Sequence, residues 1–537
     1  MTGQKGREIL VKPSQSTAPI YLFPESVSVI FAWHDYPIRI YSNILYMQAW
    51  EIAVLAFYGM ALLFIFGYSL VQLHLIILYR NARKRPLPTP ERQEEWPAVT
   101  VQLPLFNELY VAERLIDRIC ELDYPQELLE IQVLDDSTDE TVEIVAQKVE
   151  EWRTRGMDIR QVRRPKREGF KAGALQYGMK RATGEFLAIF DADFLPDRDF
   201  LRKTIPYFQD SNIGVVQTCW GHLNEDYSLL TKMKAFGLNA HFSVEQSGRN
   251  YGDHFLNFNG TAGVWRKSCI EEAGGWQSDT ITEDLDLSYR AQLKGWKIRY
   301  LEDIVSPAEL PATMNAFKSQ QFRWTKGAAE TFRKHFLSVI RAKLSFPTKI
   351  HALFHLMNSA LFLCIVCCSM LSVPTLLIKS HTPELAWLFH ASSFFALSVV
   401  ILMIFYWHSM RKAFASGNDT TRAFVPRFFL FLSLSMGLSL HNAVAVLDGY
   451  IGRKTPFVRT PKFNIQNKQD QWSNTKYLVR GLKGISPITL LEGIMAIYFG
   501  WGIYLGIALE DVGLLPFHTM LFIGFSTVCF YSVRHAN

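Results

Sequence analysis

The chain has little of what marks several common protein classes. Its cysteines, Cys120, Cys219, Cys269, Cys364, Cys367, Cys368 and Cys529, show no zinc-ligand spacing and suggest no disulfide framework. Three of them, Cys364, Cys367 and Cys368, sit inside an apolar run, where a thiol behaves as a small hydrophobe. An excess of +6, from 56 Lys and Arg against 50 Asp and Glu, gives no basis for nucleic-acid binding. Residues 1–40 lack the charged, then apolar, then small-residue order of a secretory signal. What the sequence does hold is a mean hydropathy of +0.05 that conceals a split. Residues from about 80 to 350 read as soluble, while the flanks carry apolar runs of membrane-spanning length. At 537 residues there is room for two or more domains.

The flanks come first. Trp33, Tyr36, Tyr41 and Tyr46, in a segment over 1–49, form with Trp50 an aromatic cluster that suits a membrane interface. Residues 50–79 are nearly uncharged and read as a spanning helix. Arg80, Arg83, Lys84 and Arg85 follow at once, so the positive-inside rule places that end in the cytoplasm. Pro86, Pro88 and Pro90 make 80–96 a basic, extended linker. Beyond a central domain over 97–335, residues 336–352 are basic and amphipathic, as in a helix lying on a membrane surface. The stretch 353–447 holds two spans, over 353–378 and 386–407, plus an apolar run over 428–447 that is basic on both sides. That run carries Ser433, Ser435, Ser439, His441 and Asn442 and reads as an interfacial or re-entrant helix. A basic cytoplasmic loop, 448–487, precedes two last spans within 488–533. Five spans are expected, with six as the rival count, and the C-terminus falls in the cytoplasm.

In the central domain, apolar strands over 99–106, 131–134, 159–162 and 186–190 alternate with helices over 111–122, 140–152 and 171–181. That order predicts an α/β fold, a doubly wound and mostly parallel sheet, which binds ligands at the carboxyl ends of its strands. Three such ends are chemically loaded: Pro104-Leu-Phe-Asn107-Glu108, Asp135-Asp136-Ser-Thr-Asp139 and Asp191-Ala-Asp193. Asp191 and Asp193 stand two apart and so point the same way in an extended chain. They repel unless a cation lies between them and a ligand, and Mg2+ or Mn2+ carrying phosphate oxygens suits such a pair. An ordinary strand-to-loop turn would also hold Asp here; the convergence of three acidic strand ends favours a metal-chelated, phosphorylated ligand. Further on come Phe258-Asn-Gly260-Thr261-Ala-Gly263, Thr282-Glu283-Asp284 and Gln320-Gln-Phe-Arg323-Trp324. Glu283 and Asp284 head a helix over 285–293 with Thr282 as N-cap, where capping alone would favour carboxylates. Arg323 can clamp a phosphate and Trp324 can offer a flat face to a sugar, or both can form the foot of an interfacial helix.

In this order and at these intervals the motifs resemble those of the membrane-integrated family 2 glycosyltransferases, within them the cellulose synthase-like and glucomannan synthase-like enzymes. The runs are Gln-Val-Leu-Asp-Asp-Ser-Thr-Asp, Phe-Lys-Ala-Gly-Ala-Leu, Phe-Asp-Ala-Asp, Phe-Asn-Gly-Thr-Ala-Gly, Thr-Glu-Asp and Gln-Gln-Phe-Arg-Trp, over 97–335 and again over 452–463. The resemblance implies a GT-A catalytic domain, Rossmann-like with a mixed sheet, embedded between transmembrane helices of a bacterial inner membrane or an endomembrane. It implies that Pro104, Glu108, Asp135, Asp136, Lys171, Asp191, Gln320 and Arg323 bind a nucleotide-sugar donor, and that Asp191 and Asp193 hold Mg2+ or Mn2+. Asp284 would be the general base, with Trp324, Glu283 and Gly260 at the acceptor. One base and no protein nucleophile imply an inverting transfer. Phe457-Val-Arg459-Thr460-Pro461-Lys462 resembles the gating loop Phe-x-Val-Thr-x-Lys of cellulose synthases, with Phe457, Thr460 and Lys462 in register and Arg459 where the pattern has Val. A basic loop against anionic lipid is the plainer reading of that stretch. No cyclic-dinucleotide-binding domain is expected after the last span.

Two acceptors remain open: the growing end of a β-linked polysaccharide, or a membrane lipid such as diacylglycerol or a ceramide. UDP-glucose is the first expected donor and GDP-mannose the second. A transporter or structural protein with an inert soluble domain would not need three acidic strand ends together with Asp284.

Overall fold

The computed structural model describes residues 47–85, 88–91, 93–411, 421–455, 459–466, 469–470 and 486–535. Of the N-terminal aromatic cluster, Trp50 alone falls within them; Trp33, Tyr36, Tyr41, Tyr46 and, further on, Phe457 lie outside the described residues. A long helix, α1 (Ala49–Lys84), leads into a central sheet. The sheet takes up β1 (Val99–Leu105), β2 (Leu129–Asp135), β3 (Ile159–Val162), β4 (Phe186–Ile189), β5 (Ile213–His222), β6 (Gly263–Arg266) and β7 (Lys297–Ala308). Its order is β3-β2-β1-β4-β6-β5-β7.

The expected parallel half is present. β1 pairs in parallel with β2 and β4, and β2 with β3, through α2 (Ala112–Cys120), α3 (Thr141–Thr154) and α4 (Phe170–Met179). Side chains alternate across β4: Phe186 and Ala188 enter one apolar layer, Leu187 and Ile189 the other. Burial on both faces is why this strand reads as a continuous apolar run. The other half is mixed. β6 runs antiparallel to β4, with Gly263 opposite Ile189, so the start of β6 lies beside the end of β4. β5 pairs antiparallel with β6 and in parallel with β7.

After the sheet come α5 (Leu229–Ala240), which lies between β5 and β6 in sequence, and α6 (Glu283–Leu293) before β7. The next helix, α7 (Met314–Arg341), carries Gln320, Arg323 and Trp324 and continues through the expected boundary at 335. Nothing stops it there, since after Gly327 the next helix breaker is Pro347. Residues 353–356 belong to a separate helix, α8 (Phe346–Leu356), rather than to the following span. Its histidines explain this. Tyr289 Oη lies 2.9 Å from His355 Nδ1, and His74 Nδ1 lies 2.7 Å from His351 Nε2, which fixes α8 to the sheet domain and to α1. His74, His254 and His351 bring ring nitrogens within 4.8 Å. The His254 and His351 rings stack at 4.0 Å with 15° between planes, so their in-plane lone pairs do not converge and the trio packs as a seam.

The membrane half adds α9 (Ala360–His381), α10 (Pro383–Ser409), α11 (Thr421–Gly437), α12 (Ser439–Ile451), α13 (Pro487–Ala508) and α14 (Leu515–Arg534). By length and composition, α1, α9, α10, α13 and α14 can each cross a membrane. α11 and α12 are bent by 49° at their junction, over the run 428–447 for which an interfacial or re-entrant helix was expected; a bent pair of this kind is either a re-entrant loop or a broken sixth span. Two contacts lock α7 to this bundle. Lys318 pairs with Glu492 of α13 at 2.6 Å, and Gly449 of α12 lies so close that a Cβ there would meet the Lys326 carbonyl at 2.7 Å. Lys318 and Glu492 are both buried, so removing either partner strands a charge at a cost of about 3–5 kcal/mol.

Candidate active site

The carboxyl ends of β1, β2, β4, β5 and β7 and the amino end of β6 face one cavity of about 230 Å³. β4 delivers Asp191 and Asp193. Lys171, from the first turn of α4, donates to Asp191 Oδ1 at 2.5 Å and to the Gly260 carbonyl at 2.8 Å. Asp193 pairs with Lys462. Each carboxylate thus faces a lysine ammonium, and a set of hard carboxylate oxygens matches a divalent cation of the Mg2+ or Mn2+ type.

At the end of β2 the two aspartates part. Asp136 lines the cavity and receives a two-pronged contact from Arg164, at 2.8 Å through Nε and 2.5 Å through Nη2. Asp135 does not line it. Its carboxylate is buried, accepting from the Ser137 amide at 2.9 Å and from Gln161 Nε2 at 2.8 Å. Asp135 therefore shapes the β2 loop, and the sequence expectation that it contacts a donor is not met by its position.

Asp284 enters from the first turn of α6. Its Oδ1 accepts the Leu285 amide at 2.8 Å. Thr282 holds the N-cap position, yet its hydroxyl lies 3.2 Å from the Thr331 hydroxyl and makes no cap bond. Loss of solvent in the enclosed site, then the neighbouring Glu283 charge, push the Asp284 carboxyl up to about 7 against the pull of Lys171. Gly260 meets it from the opposite side. Its φ of +82° favours glycine, and a Cβ there would lie 2.9 Å from Asp284 Oδ2. Gly260 thus borders the base through its backbone.

Gln320, Arg323 and Trp324 stand three and four apart on α7, so they share one helix face, and all line the cavity. Over them lies a strap, residues 459–466. Arg459 pairs with Glu108 at 2.7 Å, Arg323 donates to Thr460 Oγ1 at 2.7 Å, and Lys462 reaches Asp193. Arg459, the departure from the gating pattern, therefore has a partner at the end of β1. Burial raises the Glu108 carboxyl to about 7 despite Arg459 and Lys462 beside it.

Sequence reasoning missed Glu309, which follows β7 and fastens the strap by accepting the Phe463 and Asn464 amides at 2.8 and 3.0 Å. It also missed Trp220 at the end of β5. Each stands at the end of a strand, β7 and β5, that was not expected from the sequence. A second cavity, about 420 Å³, adjoins the first through Trp220, Asp284 and Trp324 and runs on among Phe317, Tyr406 and Phe431 toward the membrane helices. The arrangement can hold an anionic ligand against β1, β2 and β4 while a second ligand reaches Asp284 from the helix side.

A family model described as glycosyltransferase like family 2 matches residues 97–327. The chain is 35% identical over 476 residues to glucomannan 4-beta-mannosyltransferase 1 of Oryza sativa subsp. japonica, covering 84% of this chain and 86% of that one. It is 45% identical over 265 residues to glucomannan 4-beta-mannosyltransferase 2 of Arabidopsis thaliana, covering 48% of this chain and 50% of the relative. Among solved structures, a mannosyltransferase of Pyrobaculum calidifontis, in complex with GDP-mannose and Mn2+, superposes with a TM-score of 0.50 at 19% identity, over 75% of this chain and 99% of that one. That likeness is one of fold.

Proposed function

Because the chain belongs to the family 2 glycosyltransferases, we propose that it transfers mannose from GDP-mannose to the growing end of a β-linked glycan at a membrane. The relatives' names favour mannose, the second of the two donors expected from the sequence, over glucose. The observation that carries a glycan acceptor is the second cavity. It leads from Asp284 and Trp324 in among the membrane helices, and aromatic faces such as Phe317 and Tyr406 line it.

In this reading the diphosphate of the donor lies over Asp191 and Asp193, with Lys171 and Arg323 countering its charge. Asp191 and Asp193 would hold the divalent cation, which supplies charge neutralisation to the departing diphosphate. Asp284 takes the proton from the acceptor hydroxyl as that oxygen attacks the anomeric carbon and GDP leaves. A carboxyl near 7 suits a base that must be ionised at neutral pH. One displacement inverts the anomeric centre, so an α-linked donor gives a β-linked product. The strap shields the reacting atoms from water while it lies closed. The basic residues after α1 support a cytoplasmic position for the catalytic domain.

The test is donor choice. Membranes containing the full chain are given radiolabelled GDP-mannose or UDP-glucose, with Mn2+ or with EDTA. Incorporation from GDP-mannose at least tenfold above that from UDP-glucose, lost in EDTA and restored by Mn2+, is expected. Preference for UDP-glucose would overturn the assignment of the sugar.

A further inference from the structure

Lys234 is a buried lysine without a counter-ion. It lies on α5, 5% exposed, and its side chain borders the second cavity. Its Nζ stands 4.1 Å from the centre of the Trp324 ring and 4.9 Å from that of Phe317. Among the described residues it has no hydrogen-bond or ion-pair partner. Desolvation, with the Lys462 charge adding to it, holds the lysine well below its usual pKa. The same cavity shows other unmet polar groups. Trp220 Nε1 is a buried donor and Asn442 Oδ1 a buried acceptor, each without a partner among the described residues. Buried polar groups are ordinarily satisfied, so an unpartnered lysine on a cavity wall points to a ligand that satisfies it.

The ligand's chemistry follows from the wall. The lysine amine offers N–H donors, and so recognises oxygen atoms. A phosphate or diphosphate site would gather several cations, as the donor cavity does with Lys171, Arg323 and Lys462. Here a single lysine lies over the Trp324 indole in a lining that also takes in Trp220, Tyr406, Asn257 and Asn442, a wall suited to a neutral sugar. We propose that Lys234 is an acceptor-binding residue, donating to hydroxyl oxygens of the glycan end while that sugar lies beside Trp324. This rests on the glycan-elongating reading above. The lysine's contact with Trp324 then has a second consequence, since it holds the indole where the acceptor arrives.

The test uses the full chain in membranes supplied with GDP-mannose and Mn2+. Three quantities are read for the wild type, K234M and K234R: mannose entering polymer, GDP released without transfer, and the KM for GDP-mannose. Loss of the contact lets the acceptor end leave the site. K234M is expected to cut polymer mannose at least tenfold and raise the share of donor hydrolysed at least fivefold, with donor KM within twofold. K234R, which keeps the donors, is expected to recover a substantial part of the transfer. A K234M enzyme that matches wild type in polymer yield overturns the inference, as does a parallel loss of donor binding in both variants. A wild type that forms no polymer overturns the glycan reading itself, and this inference with it.

Discussion

Lys462 and Asp193 form an ion pair across the mouth of the active-site cavity, although 269 positions separate them in the chain. The pair joins the strap to the end of β4, at one of the two carboxylates that a metal–diphosphate group would use. Strap closure and cation binding therefore draw on the same carboxylate. Lys462→Gln is expected to speed proteolytic cleavage within 459–466 several-fold in the absence of donor. It is also expected to lower the Mn2+ concentration giving half-maximal activity, because Asp193 no longer exchanges an ammonium for the metal. Unchanged cleavage together with unchanged metal dependence would separate the two events.

Asp284→Asn preserves size and removes the base. Positioned acid–base groups contribute about 10²–10⁴-fold, so kcat should fall by about that factor. The KM for GDP-mannose should stay close to wild type, since the donor lies against other residues. A variant retaining half its activity would exclude Asp284 as the base.

Gly260→Ala places a methyl 2.9 Å from Asp284 Oδ2 on a backbone with φ of +82°. The strained conformation costs about 1 kcal/mol, visible as a lower melting temperature. The displaced carboxylate should reduce kcat at least tenfold, a loss out of proportion to the drop in stability. Full activity in the alanine variant would show that the base does not need this close approach.

The Asp284 carboxyl lies near 7, raised first by burial and then by Glu283. A base must be deprotonated to act, so kcat/KM should fall as pH drops through about 7 and level off above it. The same shift has the opposite sign for stability: a carboxyl raised in the fold favours the protonated form, so its contribution is lost as pH rises through 7. Glu283→Gln removes the neighbouring charge and should move the midpoint of the activity profile to lower pH. A midpoint unmoved by that change would leave burial as the whole cause.

The parts of this fold that the sequence reveals are those whose chemistry is local. β4 is buried on both faces and is an unbroken apolar run that stops at a polar end. β1 and β2 alternate apolar residues with Thr100, Gln102, Glu130 and Gln132, which are buried and hydrogen-bonded in pairs. β7 is an edge strand, with Lys297, Arg299, Glu302 and Asp303 breaking its apolar pattern, and β6 is four residues long. Neither has a signal of its own, and Glu309 at the end of β7 was missed with it. The strap's residues could be named from their resemblance to a motif, but their partners Glu108, Arg323 and Asp193 follow only from the fold. Lys234 lies in an unremarked helix; the cavity behind Trp324 gives it meaning. Asp135 marks the opposite failure, since two adjacent carboxylates at a strand end point different ways and one of them serves the loop.

The central claim is elongation of a β-linked mannose-containing glycan, and the fate of the label tests it most directly. Membranes bearing the full chain are given radiolabelled GDP-mannose with Mn2+, and products are divided between organic solvent and insoluble high-molecular-weight material, with Asp284→Asn as the blank. The account predicts label in insoluble material that a β-mannanase releases. Label confined to the solvent phase would make the acceptor a lipid and contradict it.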